Sequence, residues 1–167
     1  VAVALYATTF DTVHRVSTPT TAEVAKLLEN TFRNVNIALA NEMKMLCDTL
    51  GVDVWEVIEA AATKPFGFMP FFPGPGVGGH CIPLDPQYLV YRARLSGFEP
   101  RLVTVADQIN QDMPRYTVQE IMNVLNERGM PLRGAKVGVL GVTYKPDVPD
   151  VRESPALVVI DLLLQRG

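Results

Sequence analysis

The densest chemistry in the chain lies in Gly74-Pro75-Gly76-Val77-Gly78-Gly79-His80-Cys81-Ile82-Pro83-Leu84-Asp85. Glycines let backbone approach a ligand without side-chain obstruction. Cys81 stands shortly before Asp85-Pro86, which reads as a helix N-cap followed by proline at the first helical position. The positive end of a helix favours a nearby thiol as thiolate, its reactive form. Asp85, besides capping, is placed to orient a water or take a proton. The competing reading is a small buried cysteine in a tight turn; the glycine and proline around Cys81 favour the nucleophile. Zinc is set aside, because His14 is the only histidine besides His80 and no second Cys/His pair exists. The glycine run follows a proline-rich loop instead of a strand, so it is not a dinucleotide fingerprint.

Two other sets of residues are candidates. Lys26 and Asn30 lie four apart and share a helical face, with Asn41 near that face further on. A Lys and an Asn there read either as a solvated stripe or as groups serving a ligand. Tyr144-Lys145-Pro146-Asp147 and Asp150-Val151-Arg152-Glu153-Ser154 follow a β-type run. Ligands of open α/β sheets bind at the carboxyl ends of strands, where Lys145 and Arg152 suit phosphate or carboxylate. An ordinary charged loop is the alternative.

These residues need elements to hold them. Val1 to Phe10 reads as a short buried strand and its exit, and Val13 to Val16 as a second extended piece. Thr20-Thr21-Ala22-Glu23 offers a capping box for a long helix to about Leu50, ended by Gly51. Its apolar residues Val24, Leu27, Leu28, Val35, Leu39, Met43 and Leu46 recur mostly at three- and four-residue steps. So long a helix needs packing on more than one side, and a dimer axis along residues 21–50 is expected. Asp53 to Glu56 caps a short helix to about Thr63. Lys64 to Pro83 is a long, stiff, aromatic-bearing loop. A helix from Asp85-Pro86 runs to about Ser96, closed by Gly97. Pro100 to Gly129 is helical, with Pro114 forcing a kink or break. Ala135 to Val142 reads as a strand, and Ser154-Pro155 starts a last helix to about Arg166.

Of 167 residues, 48% are hydrophobic and 20% charged, the balance of a chain with a real core. A net charge of −3 without a basic block argues against nucleic acid. No apolar run is long enough to span a bilayer, and there is no signal peptide, so no membrane partner is expected. Two cysteines, Cys47 and Cys81, at no recognisable spacing argue against a disulfide framework and for the cytoplasm. The start at Val1 and the unfinished closing β-α unit lead us to expect cut ends.

Taken together, three separated motifs resemble the UDP-glucose/GDP-mannose dehydrogenase family over nearly the whole chain. Thr21-Ala22-Glu23-Val24-Ala25-Lys26 with Asn30 and Asn41-Glu42 is similar to its central dimerisation helix. Gly76 to Cys81 with Asp85 resembles its nucleophile loop, and Tyr144 to Ser154 the opening of its UDP-binding domain. Thr63 to Phe68 looks closest to bacterial members acting on UDP-N-acetylhexosamines. The resemblance implies a mainly α central dimerisation domain followed by the first β-α unit of an incomplete α/β UDP-binding domain. The implied division is 1–18, tail of a missing NAD-binding Rossmann domain; 19–130, central domain; 131–167, start of the UDP-binding domain.

It further implies oxidation of a UDP-sugar C6 alcohol to the acid with two NAD+, through a thiohemiacetal and thioester on Cys81. Lys26 and Asn30 would stabilise oxyanions, and Asp85 would assist proton movement and hydrolysis. Pro70, Phe71, Phe72, Pro73, Gly74 and Gly78 would line the nucleotide-sugar site with Lys145; Arg152 and Leu84 would meet NAD. A homodimer through the long helix is implied. The chain departs from the family in lacking a GxGxxG unit, so it is expected to be inactive alone. The family's cross-dimer arginine has only Lys64 as its nearest basic candidate. The alternatives are a GDP-mannose 6-dehydrogenase and a non-catalytic helical dimerisation module.

Overall fold

Residues 1–167 are described by a computed structural model, and all its regular structure is helical. The expected strand at Val1 to Tyr6 is instead a short helix, α1 (Ala2–Tyr6). A strand needs a neighbour to take its N–H and C=O groups; with none adjacent, the chain pairs locally, Ala7 N–H donating to Val3 O at 2.9 Å. Val13 to Val16 takes no regular form.

The dominant element is α2 (Pro19–Leu50). Its cap is Thr18, not the Thr20–Glu23 box: Thr18 Oγ1 accepts from Thr21 N–H at 3.1 Å, and Pro19 fills the first helical position. Proline costs nothing there, since that N–H has no helical partner. Gly51 ends α2 with φ 68°, while Val52 N–H reaches back to Cys47 O at 2.9 Å, a left-handed glycine stop. Asp53 caps α3 (Val54–Ala62) through Trp55 N–H, as expected.

The proline-rich loop ends earlier than its sequence indicates. α4 (Cys81–Leu95) begins at the cysteine, so Asp85 and Pro86 lie inside the helix instead of capping it. Pro83 falls among the first residues, whose N–H groups are unpaired anyway. Pro86 leaves the Ile82 carbonyl without its helical donor, and Asn34 Nδ2 of α2 donates to that carbonyl at 3.4 Å.

α5 (Arg101–Glu127) runs through Pro114 as one helix, so of the expected kink or break the break does not occur. Pro114 frees the Asn110 carbonyl, and Gly76 of the loop lies over it; a Cβ at Gly76 would stand 3.3 Å from that oxygen. Ser154 caps α6 (Pro155–Gln165), its Oγ accepting from Ala156 N–H at 3.3 Å.

Ala135 to Val142 forms no strand, although its composition is β-type. No second strand is present to share its hydrogen bonds. Val137 and Val139 instead wall an apolar cavity of about 280 Å³ with Ile160, Leu163 and Leu164 of α6.

α2 packs against α3, α4 and α5, and α5 also carries α6. The packed face of α2 is unusual in its chemistry: Asn30, Thr31, Asn34, Ala38 and Asn41 are buried. The apolar series Val24, Leu28, Phe32, Leu39 and Leu46 is exposed on the other side. No helix is long and apolar enough to cross a membrane.

Candidate active site

Cys81 is an unpaired, exposed cysteine at the first position of α4, whereas Cys47 is buried among Val54 and Ile58. Its position puts the thiol beside the N–H groups at the start of α4 that have no helical acceptor, where negative charge is favoured. Asp85 lies one turn further along the same face. Asn30, 1% exposed, donates its Nδ2 to Asp85 Oδ2, which joins α2 to α4 beside the cysteine.

The chain of contacts then runs outward along α2. Arg33 Nη2 donates to Asn30 Oδ1 at 2.6 Å and to Glu29 Oε1 at 2.7 Å. Lys26 Nζ donates to Glu29 Oε2 at 3.0 Å, and that bond holds the Glu29 carboxyl below its usual range. Three of the four expected catalytic residues, Cys81, Asp85 and Asn30, are thus brought together. Lys26 sits at the rim, its side chain 57% exposed and occupied by Glu29. Arg33 escaped the sequence reading, because a Glu29–Arg33 pair at this spacing looks like any surface ion pair.

The aromatic loop is pinned at three points. Phe71 meets Phe32 edge-on with ring centres 5.8 Å apart, and Phe72 stacks on Trp55 at 5.8 Å. Gly74 N–H donates to buried Asn41 Oδ1 at 2.9 Å. Asn41 Nδ2 in turn donates to Asn110 Oδ1 at 2.9 Å, and Asn110 Nδ2 to Asn34 O at 3.0 Å. Pro70 is exposed and Pro73 half-buried beside them.

The C-terminal segment closes over the other end of this loop. A Cβ on Gly78 would lie 2.5 Å from Tyr144 Cβ and 3.0 Å from Glu153 O, so no side chain fits there. Gly79 N–H donates to Glu153 O at 3.2 Å. His80 meets the Tyr144 ring edge-on at 6.4 Å, and its Nε2 is 3.6 Å from Asp150 Oδ2. Arg152 grips Asp150 through Nε at 2.9 Å and Nη2 at 2.8 Å, holding that carboxyl far below its usual range. Val142, Asp147 and Glu153 all have positive φ, and for the β-branched Val142, at 84°, this is real strain. Lys145 is exposed on this segment.

A cavity of about 660 Å³ lies between the glycine loop, α4, α5 and α6. Leu84 and Asn34 line it, but Cys81, Asp85, Asn30 and Lys26 do not. Asp107 on its wall has its carboxyl raised by burial, against a hydrogen bond with Gln87.

A helical frame thus sets a free thiol at the start of α4, one turn from an Asp85 that accepts a hydrogen bond from buried Asn30. Residues 20–112 match the central domain of the UDP-glucose/GDP-mannose dehydrogenase family, and residues 138–167 its UDP-binding domain. The chain belongs to the UDP-glucose/GDP-mannose dehydrogenase family.

A UDP-N-acetyl-D-mannosamine dehydrogenase of Methanococcus maripaludis is 43% identical over 147 residues, 88% of this chain and 33% of that protein. Protein CapL of Staphylococcus aureus is 41% identical over 155 residues, 93% of this chain and 36% of its own length. A solved UDP-D-ManNAc dehydrogenase of Pyrococcus horikoshii superposes with a TM-score of 0.91 at 39% identity, covering 99% of this chain and 38% of that one. A UDP-glucose dehydrogenase of Pyrobaculum islandicum gives 0.80 at 40% identity, covering 91% and 34%. The chain therefore spans about a third of the length of the relatives it matches.

Proposed function

We propose that this chain is the nucleophile-bearing part of an NAD-dependent UDP-sugar 6-dehydrogenase, with a UDP-N-acetylhexosamine as substrate. The observation that carries the reading is the exposed Cys81 at the start of α4, one turn from an Asp85 fixed by buried Asn30. The names of the relatives support the sugar class.

In this reading Cys81 attacks the C6 aldehyde of the sugar, forming a C–S bond in a thiohemiacetal. It then holds the oxidised carbon as a thioester until water cleaves it. The covalent link keeps a reactive aldehyde from escaping between the two oxidations. Asn30, with one amide hydrogen on Asp85, keeps the carboxylate pointed along the face that carries Cys81, where it takes the proton of the attacking water. Lys26 supplies positive charge at the rim for the C6 oxygen, which requires it to leave Glu29. The loop from Pro70 to Gly74, held by Phe32, Trp55 and Asn41, lines the nucleotide-sugar site, with Lys145 exposed toward its phosphates. Gly78 contributes by letting Tyr144 and Glu153 approach the loop.

The exposed guanidinium of Arg152 and the half-exposed Leu84 fit a dinucleotide's phosphate and apolar parts. NAD, when bound, supplies the hydride acceptor. The outward apolar stripe of α2 supports a homodimer along that helix. Two unpaired cysteines suit the cytoplasm.

The test uses the intact gene product with NAD+ and a panel of UDP-N-acetylmannosamine, UDP-N-acetylglucosamine, UDP-glucose and GDP-mannose. Cys81→Ala is expected to cut NADH formation by roughly three orders of magnitude or more. Undiminished NADH formation would leave the chain a helical dimerisation module only.

A further inference from the structure

We propose that Asn110 of α5 is a positioning residue for the loop Pro70 to Gly74, acting through the carboxamide of Asn41. Gly74 N–H donates to Asn41 Oδ1 at 2.9 Å, Asn41 Nδ2 to Asn110 Oδ1 at 2.9 Å, and Asn110 Nδ2 to the backbone oxygen of Asn34 at 3.0 Å. Both ends of this relay are backbone groups whose roles cannot change: an N–H only donates and a C=O only accepts. Each carboxamide between them therefore has one orientation that satisfies both of its neighbours. Asn41 is 0% exposed and Asn110 5%, so each amide depends on its protein partner.

Asn110 meets the loop region at a second point. Pro114 has no N–H for the Asn110 carbonyl, and a Cβ at Gly76 would stand 3.3 Å from that oxygen and 3.0 Å from Pro155 Cβ. This backbone contact is common to every side chain at position 110, so substitution there isolates the relay through Asn41. Upstream, Phe72 stacks on Trp55 with ring centres 5.8 Å apart and planes 21° apart. Only Pro73 separates Phe72 from Gly74, and its ring fixes one of the backbone rotations between them. A shift at Gly74 is thus passed to the Phe72 ring. Trp55 is the only tryptophan in the chain, which makes its fluorescence a reporter of loop position.

Without the Asn110 acceptor, Asn41 Nδ2 becomes a buried donor with no partner, a state that costs more than the bond itself contributes. Asn41 relieves that cost by turning away, and Gly74 N–H loses its acceptor. A carboxylate at position 110 keeps the acceptor for Asn41 but offers no hydrogen to Asn34 O, and burial of its charge is costly. Asn110→Asp therefore separates loop position from stability: it weakens the fold while leaving the loop in place. That the positioned loop serves a nucleotide sugar rests on the dehydrogenase reading; the relay itself does not.

Two measurements test it. In the 167-residue chain, acrylamide quenching of Trp55 is expected to rise in Asn110→Leu and to stay at the parent level in Asn110→Asp, although Asn110→Asp melts below the parent. In the intact gene product, Asn110→Leu should raise KM for the UDP-sugar roughly three- to ten-fold, the range of one hydrogen bond. Its kcat and its KM for NAD+ should stay within about two-fold of the parent. Asn110→Asp should keep the parent KM, and Asn41→Ala/Asn110→Leu should match Asn41→Ala alone in both readouts. Circular dichroism checks folding; if Asn110→Leu loses helix, Asn110→Ala takes its place, and if Asn110→Asp loses helix, the double variant decides. A merely structural role makes quenching and KM follow stability, with Asn110→Asp impaired like Asn110→Leu. That result, additive effects in the double variant, or unchanged quenching in Asn110→Leu would overturn the proposal. So would an unchanged KM in Asn110→Leu when Cys81→Ala abolishes NADH formation. A failure of the dehydrogenase reading shows separately, as NADH formation that survives Cys81→Ala.

Discussion

Asparagine is the residue that organises this site. Asn30, Asn34, Asn41 and Asn110 are buried, and each spends its amide on a contact that a purely apolar core would leave unmade. Asn34 serves the carbonyl that Pro86 orphans, and Asn41 joins the aromatic loop to α5. Removing a partner from such a relay costs the desolvation of whatever is left unpaired. Asn41→Ala strands both the Gly74 N–H and Asn110 Oδ1. Urea denaturation should show a loss of about 2–4 kcal/mol, two unsatisfied groups' worth. A loss below about 0.5 kcal/mol would mean that water replaces the amide at no cost. The chemistry of these asparagines was partly readable: Asn30 and Asn41 stood out as polar residues on a helix, but the partners of Asn34 and Asn110 are set by residues far away in sequence.

At the scale of the element, α2 and α5 are clamped near the end of α2 by Lys44, Asp48 and Tyr116. Tyr116 Oη and Lys44 Nζ both donate to Asp48, and Lys44 lies 6.0 Å from the centre of the Tyr116 ring. Desolvation pushes Asp48 up, but the hydrogen bonds from Lys44 and Tyr116 outweigh it, so its carboxyl ends below the ordinary 3.8. Burial, then the bond to Asp48, pushes Tyr116 above the ordinary 10.0. A depressed carboxyl stabilises the fold above its unfolded value and loses that contribution as pH falls through the folded one. A raised phenol does the reverse, stabilising below its unfolded value and failing as pH rises through the folded one. The clamp is therefore at full strength between 3.8 and 10.0. Tyr116→Phe should lower stability there by about 1 kcal/mol. Thermal melts across pH should show the gap between the two proteins shrinking at both ends; a constant gap would reject the assignment.

For the whole molecule, the outward face of α2 is where the proposed homodimer is tested. Leu28 is 64% exposed and Leu39 55%, on the face opposite the buried asparagines. Apolar area of this extent is stabilised by a partner surface, and a second copy of the same helix supplies one by symmetry. Light scattering after size exclusion should give a dimer for the parent chain and a monomer for Leu28→Lys/Leu39→Lys, with helical content retained. A parent chain that elutes as a monomer would remove the α2 interface.

Local chemistry in the sequence was enough for the helix ends at Gly51, Asp53 and Ser154 and for the length of α2. These depend on neighbours within a few residues, whose hydrogen bonds the chain order already dictates. Tertiary structure decided where α4 begins: the helix runs through Pro83 and Pro86, and Asn34 of α2 donates to the carbonyl that Pro86 frees. It also decided that α5 passes unbroken through Pro114, and that Ala135 to Val142 forms no strand, since a strand exists only as one half of a pair. The apolar period of α2 announced a helix correctly but not which face would be buried; that was settled by the asparagine partners waiting on α4, α5 and the loop.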